Sequence, residues 1–174
     1  MTERSSVTLD PPMKTWLIID GYNLIYQLPA DRSNLPADMA GKRRYLLRML
    51  DELAGVLAER VSVVFDGRAA GADNPPESPH VDVIFSPADK TADTVIEQMV
   101  YGAAHPEAIT VVTSDRRENE TIRAAGAEAM SCAMFLDHMH QQREQLAWRI
   151  ARRATRTPAA SIGDIFPDTK HQPD

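Results

Sequence analysis

The chain of 174 residues contains a single cysteine, Cys132, and therefore cannot form an internal disulfide. The apolar neighbours of Cys132 favour a buried thiol over a nucleophile. No apolar run approaches the ~18 residues of a membrane span, and the polar start MTERSSVTLDPP lacks the apolar stretch of a secretory signal. We therefore expect a cytoplasmic protein that performs no thiol chemistry.

Several common catalytic motifs are also missing from the sequence. It has no phosphate-binding loop, no glycine fingerprint for a dinucleotide and no serine nucleophile elbow. Its five histidines, of which His138 and His140 are two residues apart, do not have the spacing of zinc ligands. A phosphatase of the haloacid type needs a second aspartate two residues after the first. In this chain the first would be Asp20, and Tyr22 occupies the position of the second. The missing motifs argue against each of these enzyme classes.

Short β-branched runs alternate along the chain with amphipathic segments, which is typical of a parallel sheet covered by helices. The runs predict strands at 14–20, 61–65, 81–85, 109–113 and 128–132, of which 81–85 alternates most and suits a sheet edge. Apolar residues at three- and four-residue steps predict helices at 36–59, 91–101, 117–125 and 133–154. We expect a three-layer α/β/α domain over 14–154, with a mostly parallel central sheet. Flexible segments are expected at 1–13 and 155–174.

Four aspartates are placed where such a sheet would bring them together. Asp20, Asp66 and Asp115 follow apolar runs directly, and Asp93 opens a predicted helix. The carboxyl ends of parallel strands form the edge at which these sheets build their sites. Clustered carboxylates repel one another unless they share protons or bind a cation, and sites made only of oxygen ligands suit Mg²⁺ or Mn²⁺. Taken alone, each aspartate could equally cap the following helix or turn.

The segments IIDGYNLI, FDG, ADTVIE and TSD, in this order and spacing, resemble the NYN branch of the PIN-like nucleases, most closely its YacP-like group. The resemblance extends over residues 15–139. It implies metal-dependent cleavage of RNA by an acidic cluster and, for YacP-like members, ribosome-associated endonuclease action on messenger RNA. By this resemblance Asp20, Asp93 and Asp115 match the catalytic and metal-binding acids, Asp66 is an additional candidate metal ligand, and Asn23 matches the asparagine of the first motif.

A net charge of −6 argues against a general polyanion binder, so any contacts with RNA should be local. Each candidate contact has a structural alternative. The alternatives are that Asn23 bonds within its own turn, that Ser114 caps a helix, and that the arginines late in the chain form a solvated helix face. Tyr22 and Tyr26, near the acidic edge, suit either base stacking or core packing. The candidates for substrate binding are Asn23, Ser114, Arg116, Arg152 and Arg153.

The sequence therefore predicts an Mg²⁺- or Mn²⁺-dependent endoribonuclease that cleaves single-stranded or ribosome-associated RNA. Two alternatives stay open. One is a PIN-like module that binds RNA or the ribosome without catalysis, and the other is a metal-dependent phosphatase or flap nuclease on a related scaffold. The number of metal ions and the oligomeric state are not specified by these motifs.

Overall fold

The computed structural model describes residues 16–29, 35–67 and 77–156. Within them lies one five-stranded sheet in the order β3-β2-β1-β4-β5, and every neighbouring pair is parallel. The predicted parallel α/β architecture is confirmed, and so is the edge position of the third strand. The strands are β1 (Trp16–Asp20), β2 (Arg60–Phe65), β3 (Asp82–Phe85), β4 (Ile109–Val112) and β5 (Glu128–Met130).

Helices connect these strands, and a short 3₁₀ turn (Pro106–Ala108) precedes β4. Both faces of the sheet are covered, because Leu17, Ile18 and Ile19 alternate across β1 and are all fully buried. Residues of the fourth and fifth helices pack with Ile18 on one face. This arrangement gives the three expected layers. The helices are α1 (Gly21–Gln27), α2 (Met39–Asp51), α3 (Ala54–Leu57), α4 (Ala92–Tyr101), α5 (Arg116–Ala124) and α6 (Cys132–Arg156).

The strand order positions a crevice at the carboxyl ends of β1 and β4. The chain proceeds from β1 through β2 to β3 in one direction, and from β4 to β5 in the other. Ile19 is paired with Val112 across the two central strands, so Asp20 and the turn after β4 emerge side by side. In open parallel sheets this reversal point is where ligands bind.

A short helix that the sequence pattern did not predict, α1, follows β1 directly. Asp20 is its N-cap, and Gly21 is its first residue. A Cβ atom on Gly21 would clash with the ring of Phe65, which is fully buried and packs against Tyr22 and Phe85. The glycine of the DGYN motif is therefore required by the close approach of α1 to β2.

The prediction of a single helix over 36–59 is wrong in detail. The observed helical segment begins only after Asp38, whose side chain accepts a hydrogen bond from the Gly41 amide (2.7 Å). It is divided into α2 and α3. At the division the Leu53 amide bonds to the Leu50 carbonyl three residues back (3.0 Å), so the chain tightens into a turn. This turn keeps Leu53 and Leu57 buried.

The chain divides into two compact units, Met1–Gln142 and Arg143–Asp174. The predicted terminal segments, 1–13 and 155–174, lie outside the described residues except for 155 and 156, which end α6. Cys132 is buried with a free thiol, as expected. Among the described helices, none combines the length and the apolar character needed to cross a bilayer.

Candidate active site

Asp20 is held rigidly at the end of β1. Its Oδ1 accepts a hydrogen bond from the Asn23 amide (3.0 Å), and its Oδ2 accepts one from the Asn23 side chain (2.5 Å). The residue is only 4% exposed. Burial raises the pKa of Asp20, the hydrogen bonds from Asn23 and the Tyr22 amide partly lower it, and the nearby Asp66 raises it further. Asp20 is thus both the cap of α1 and a buried carboxylate directed at the crevice.

Asp93 is the second residue of α4. Thr91, and not Asp93, caps this helix, since its hydroxyl accepts a hydrogen bond from the Thr94 amide (3.2 Å). The Asp93 carboxylate is therefore not engaged as a cap. Burial raises its pKa, and the negative charges of Asp20, Asp115 and Glu97 add to the shift.

Glu118, in the first turn of α5, completes a cluster with these two aspartates. One carboxylate oxygen from each of Asp20, Asp93 and Glu118 lies within 4.8 Å of the others. Glu118 is 3% exposed, and neither of its oxygens has a hydrogen-bond partner among the described residues. Burial raises the pKa of Glu118 to about 8, with further contributions from the neighbouring aspartates. The nearby Thr113 hydroxyl opposes the shift without forming a well-aligned hydrogen bond.

Glu118 is not among the site residues predicted from sequence, and the reason lies in its spacing from Asp115. A glutamate three residues after a capping aspartate normally reaches back to the amide of the cap. Here the Asp115 amide instead donates to the Thr113 hydroxyl (3.1 Å), so that role is already filled. The available signal was the helical period, because Glu118 is four residues before Ile122 and shares its buried side of α5.

The other two predicted metal ligands lie outside this set of three. Asp115 is exposed and caps α5, where its Oδ1 accepts hydrogen bonds from the amides of Arg117 (2.7 Å) and Glu118 (3.3 Å). Its Oδ2 takes no part in either bond, and its charge is near enough to raise the pKa of Asp93. Asp66 follows β2 and borders the same cleft as Asp20. The structure thus places Asp66 and Asp115 around the cluster formed by Asp20, Asp93 and Glu118.

A cleft of about 250 Å³ opens beside the cluster. Acidic, aromatic and small polar side chains share its wall, and among the described residues that line it none is basic. The lining residues are Asp20, Tyr22, Asn23, Tyr26, Asp66, Thr91, Ala92 and Asp93.

The residues predicted to contact the substrate differ from one another in their surroundings. The Asn23 side chain is engaged with Asp20. Ser114 is exposed and does not cap α5, so the capping alternative for Ser114 is wrong because Asp115 fills that position. Arg116 is exposed at the first position of α5. Arg152 and Arg153 belong to the unit that begins at Arg143, where both are exposed.

The carboxylate cluster has the chemistry of a site for a hard divalent cation. Among the described residues, none of its three members forms an ion pair with a basic side chain, so their mutual repulsion is relieved only by protons or by a bound cation. Carboxylate oxygens are the ligands that Mg²⁺ and Mn²⁺ prefer. The two oxygens of Glu118 without partners are especially well suited to such an ion, since a buried polar group otherwise loses the bonds it made to water.

The chain is similar to known proteins both in sequence and in fold. A family model described as the YacP-like NYN domain matches residues 17–169. The YacP protein of Bacillus subtilis (strain 168) is 28% identical over 148 residues, which cover 84% of this chain and 87% of that protein. Crystal structures of Rae1 (YacP) from Bacillus subtilis are also similar. A single-substitution variant has a TM-score of 0.69 at 26% identity, covering 83% of this chain and 86% of that one. The unsubstituted protein has a TM-score of 0.66 at 26% identity, covering 86% and 87%.

Proposed function

Because the chain belongs to the YacP-like NYN domain family, a family of nucleases, we propose that it is a metal-dependent endoribonuclease that cleaves single-stranded or ribosome-associated RNA. The observation that carries the proposal is the cluster of Asp20, Asp93 and Glu118, two of them buried and Asp93 half-buried, at the reversal point of the sheet. Three carboxylates within 4.8 Å destabilise a fold unless protons or a cation neutralise their charge. A divalent ion that neutralises them would also equip the site for hydrolysis of a phosphodiester.

Asp20, Asp93 and Glu118 would hold Mg²⁺ or Mn²⁺. When bound, the ion supplies a nucleophilic water and offsets the charge that develops on the phosphate. Asp66 and Asp115, which lie around the three, remain candidate ligands through water or for a second ion.

Two residues keep the acids in position. Asn23 holds both oxygens of Asp20, Oδ1 through its backbone amide and Oδ2 through its side chain. Removal of the side chain would release Oδ2 only. Asp115 accepts a hydrogen bond from the Glu118 amide and so defines the turn that directs Glu118 inward. Such supporting partners typically change metal affinity or activity by about 10- to 100-fold.

The substrate would be held by groups outside the acidic cleft. Ser114 and Arg116 flank Asp115 on the exposed side of the α5 start and suit phosphate oxygens. In the second unit, Arg152 and Arg153 are exposed and offer the same chemistry, with the Arg152 guanidinium 4.5 Å from the Trp148 ring.

A single substitution tests the proposal. Asp93→Asn removes one negative oxygen without the loss of a helix cap, so the fold should be retained. We expect cleavage of a single-stranded RNA in Mn²⁺ to fall by at least ~100-fold, beyond the range typical of supporting residues. Binding of the RNA should persist or become tighter, since a repelling charge is removed. The measurement is single-turnover cleavage of end-labelled RNA, with binding followed by anisotropy.

Asp82→Asn is the matched control, because Asp82 lies at the amino end of β3, the opposite end from the cluster. This variant should cleave at the wild-type rate. Wild-type protein that binds RNA but never cleaves it in Mn²⁺ would contradict the proposal and favour a binding module without catalysis.

A further inference from the structure

Tyr26 is an aromatic residue whose exposure is high for its position. Its side chain lines the cleft that also contains Asp20 and Asp93, yet the residue is 71% exposed. Tyr22, one turn earlier on α1, is only 9% exposed. The sequence predicts the same two roles for both tyrosines, but of this pair only Tyr26 is exposed enough in the structure to present a ring face to a ligand.

A series of aromatic rings supports Tyr26 from behind. The Tyr22 ring meets Phe65 edge-on (centroids 5.3 Å apart), and Phe65 stacks on Phe85 (5.6 Å). The Tyr22 hydroxyl accepts a hydrogen bond from Nη1 of the buried Arg43 (2.9 Å). Tyr26 lies 6.5 Å from Tyr22 with its ring tilted by 35°. The inner rings are thus fixed by packing, and Tyr26 is the solvent-facing end of the series.

The negative charge of the cleft favours binding of RNA through an uncharged group. Its described lining includes Asp20, Asp66 and Asp93 and no basic residue. A phosphate backbone entering it meets repulsion unless a cation is bound. Stacking of a base on an aromatic ring needs no charge, and typically contributes ~1–3 kcal/mol per base.

We propose that Tyr26 is a nucleobase platform, on which one unpaired base of the substrate strand stacks beside the acidic cluster. The inference rests on the proposed function only in taking RNA as the ligand. Stacking on a protein ring requires a base whose face is free, so the platform selects single-stranded RNA over a duplex. Tyr26 is therefore a residue that determines specificity, and it takes no part in the chemical step.

The test compares Tyr26→Ala and Tyr26→Phe with Tyr101→Ala. Tyr101 is similarly exposed (64%) but ends α4, whereas Asp93 lies in the first turn of the same helix. Affinity for a short oligouridine is measured by anisotropy in EDTA and again with Ca²⁺. Tyr26→Ala should weaken binding about 5- to 150-fold, the equivalent of ~1–3 kcal/mol. Tyr26→Phe and Tyr101→Ala should remain within about twofold, because the first keeps the π face and the second is remote.

A second set of measurements locates the base. Oligouridines that carry one abasic site, moved along the strand, should identify one position whose loss weakens wild-type binding but has little further effect on Tyr26→Ala. Wild-type affinity in Tyr26→Ala, or equal abasic losses in both proteins at every position, would overturn the platform. If the Tyr26 effect is present but no cleavage occurs in Mn²⁺, the nuclease proposal fails and the platform stands. If the wild type cleaves RNA in Mn²⁺ but Tyr26→Ala binds RNA as tightly as the wild type, the platform fails and the nuclease proposal stands.

Discussion

Acidic side chains have different surroundings at the two ends of the same sheet. At the amino end, Asp82 accepts a hydrogen bond from Nε of Arg60 (2.8 Å), and the Arg60 guanidinium lies 4.2 Å from the Trp16 ring. Trp16 in turn donates to the Ser62 hydroxyl (3.0 Å). At the carboxyl end, Asp20, Asp93 and Glu118 face one another, and none of the described basic side chains forms an ion pair with them.

This contrast separates structural charge from functional charge. The pair at the amino end is half exposed, and pairs of this kind contribute ~0–1 kcal/mol to stability. Two of the acids at the carboxyl end are buried and Asp93 is half-buried, and burial raises the pKa of each of the three. A fold selected for stability alone would pair them with basic residues, as it pairs Asp82. That no basic residue in the described part of the chain pairs with them points to an ion or a substrate that completes the site.

The largest stability effect expected from this contrast is the pH dependence caused by Glu118. Its pKa is raised from 4.5 in the unfolded chain to about 8 in the fold. Between these values the folded state holds a proton that the unfolded state has lost, so stability is present at low pH and is lost as pH rises. The free energy of unfolding should decline by up to ~1.4 kcal/mol per pH unit in this window.

Urea unfolding between about pH 5 and pH 8 measures this slope. Glu118→Gln should flatten it, whereas Asp82→Asn should leave it unchanged, because Asp82 lies at the other end of the sheet. Saturating Mn²⁺ should also reduce the slope, since the ion replaces the proton. If Glu118→Gln shows the same slope as the wild type, the glutamate is not the group that titrates.

A smaller effect is expected at Asp115, which combines a cap with a position near the cluster. Asp115→Ala should lower stability by ~0.5–2 kcal/mol through loss of the cap, whereas Asp115→Asn retains a capping oxygen and should be close to wild type. Both variants should lower cleavage by about 10- to 100-fold, as expected for a residue that supports the acids. Thermal unfolding and single-turnover cleavage distinguish the two roles. If Asp115→Asn cleaves RNA at the wild-type rate, Asp115 acts only as a helix cap.

The smallest effect should come from Asp82→Asn. Loss of one exposed ion pair should change stability by no more than ~1 kcal/mol, and it should leave both cleavage and Mn²⁺ binding intact. Denaturant unfolding and metal titration measure these quantities. A large loss of Mn²⁺ affinity in this variant would remove the distinction between the two ends of the sheet.

The fold and two of the three clustered acids, Asp20 and Asp93, could be predicted from sequence because their signals are local. An apolar run precedes Asp20, Asp93 opens an amphipathic helix, and parallel pairing brings the strand ends together whatever the details of the loops. The α1 helix was missed because GYNLIYQ is short and lacks a separated polar face. Glu118 was missed because its spacing from Asp115 matches a capping box, whereas in the structure the hydroxyl of Thr113, two residues before Asp115, occupies the Asp115 amide.

The most direct test of the central claim is the change in melting temperature on addition of Mn²⁺. If Asp20, Asp93 and Glu118 bind the ion in the folded state, Mn²⁺ should raise the melting temperature of the wild type and of Asp82→Asn by the same amount. Glu118→Gln and Asp20→Asn should lose most of that increase. A wild-type melting curve that Mn²⁺ does not move, or an equal increase in Glu118→Gln, would contradict the assignment of these carboxylates as a metal site.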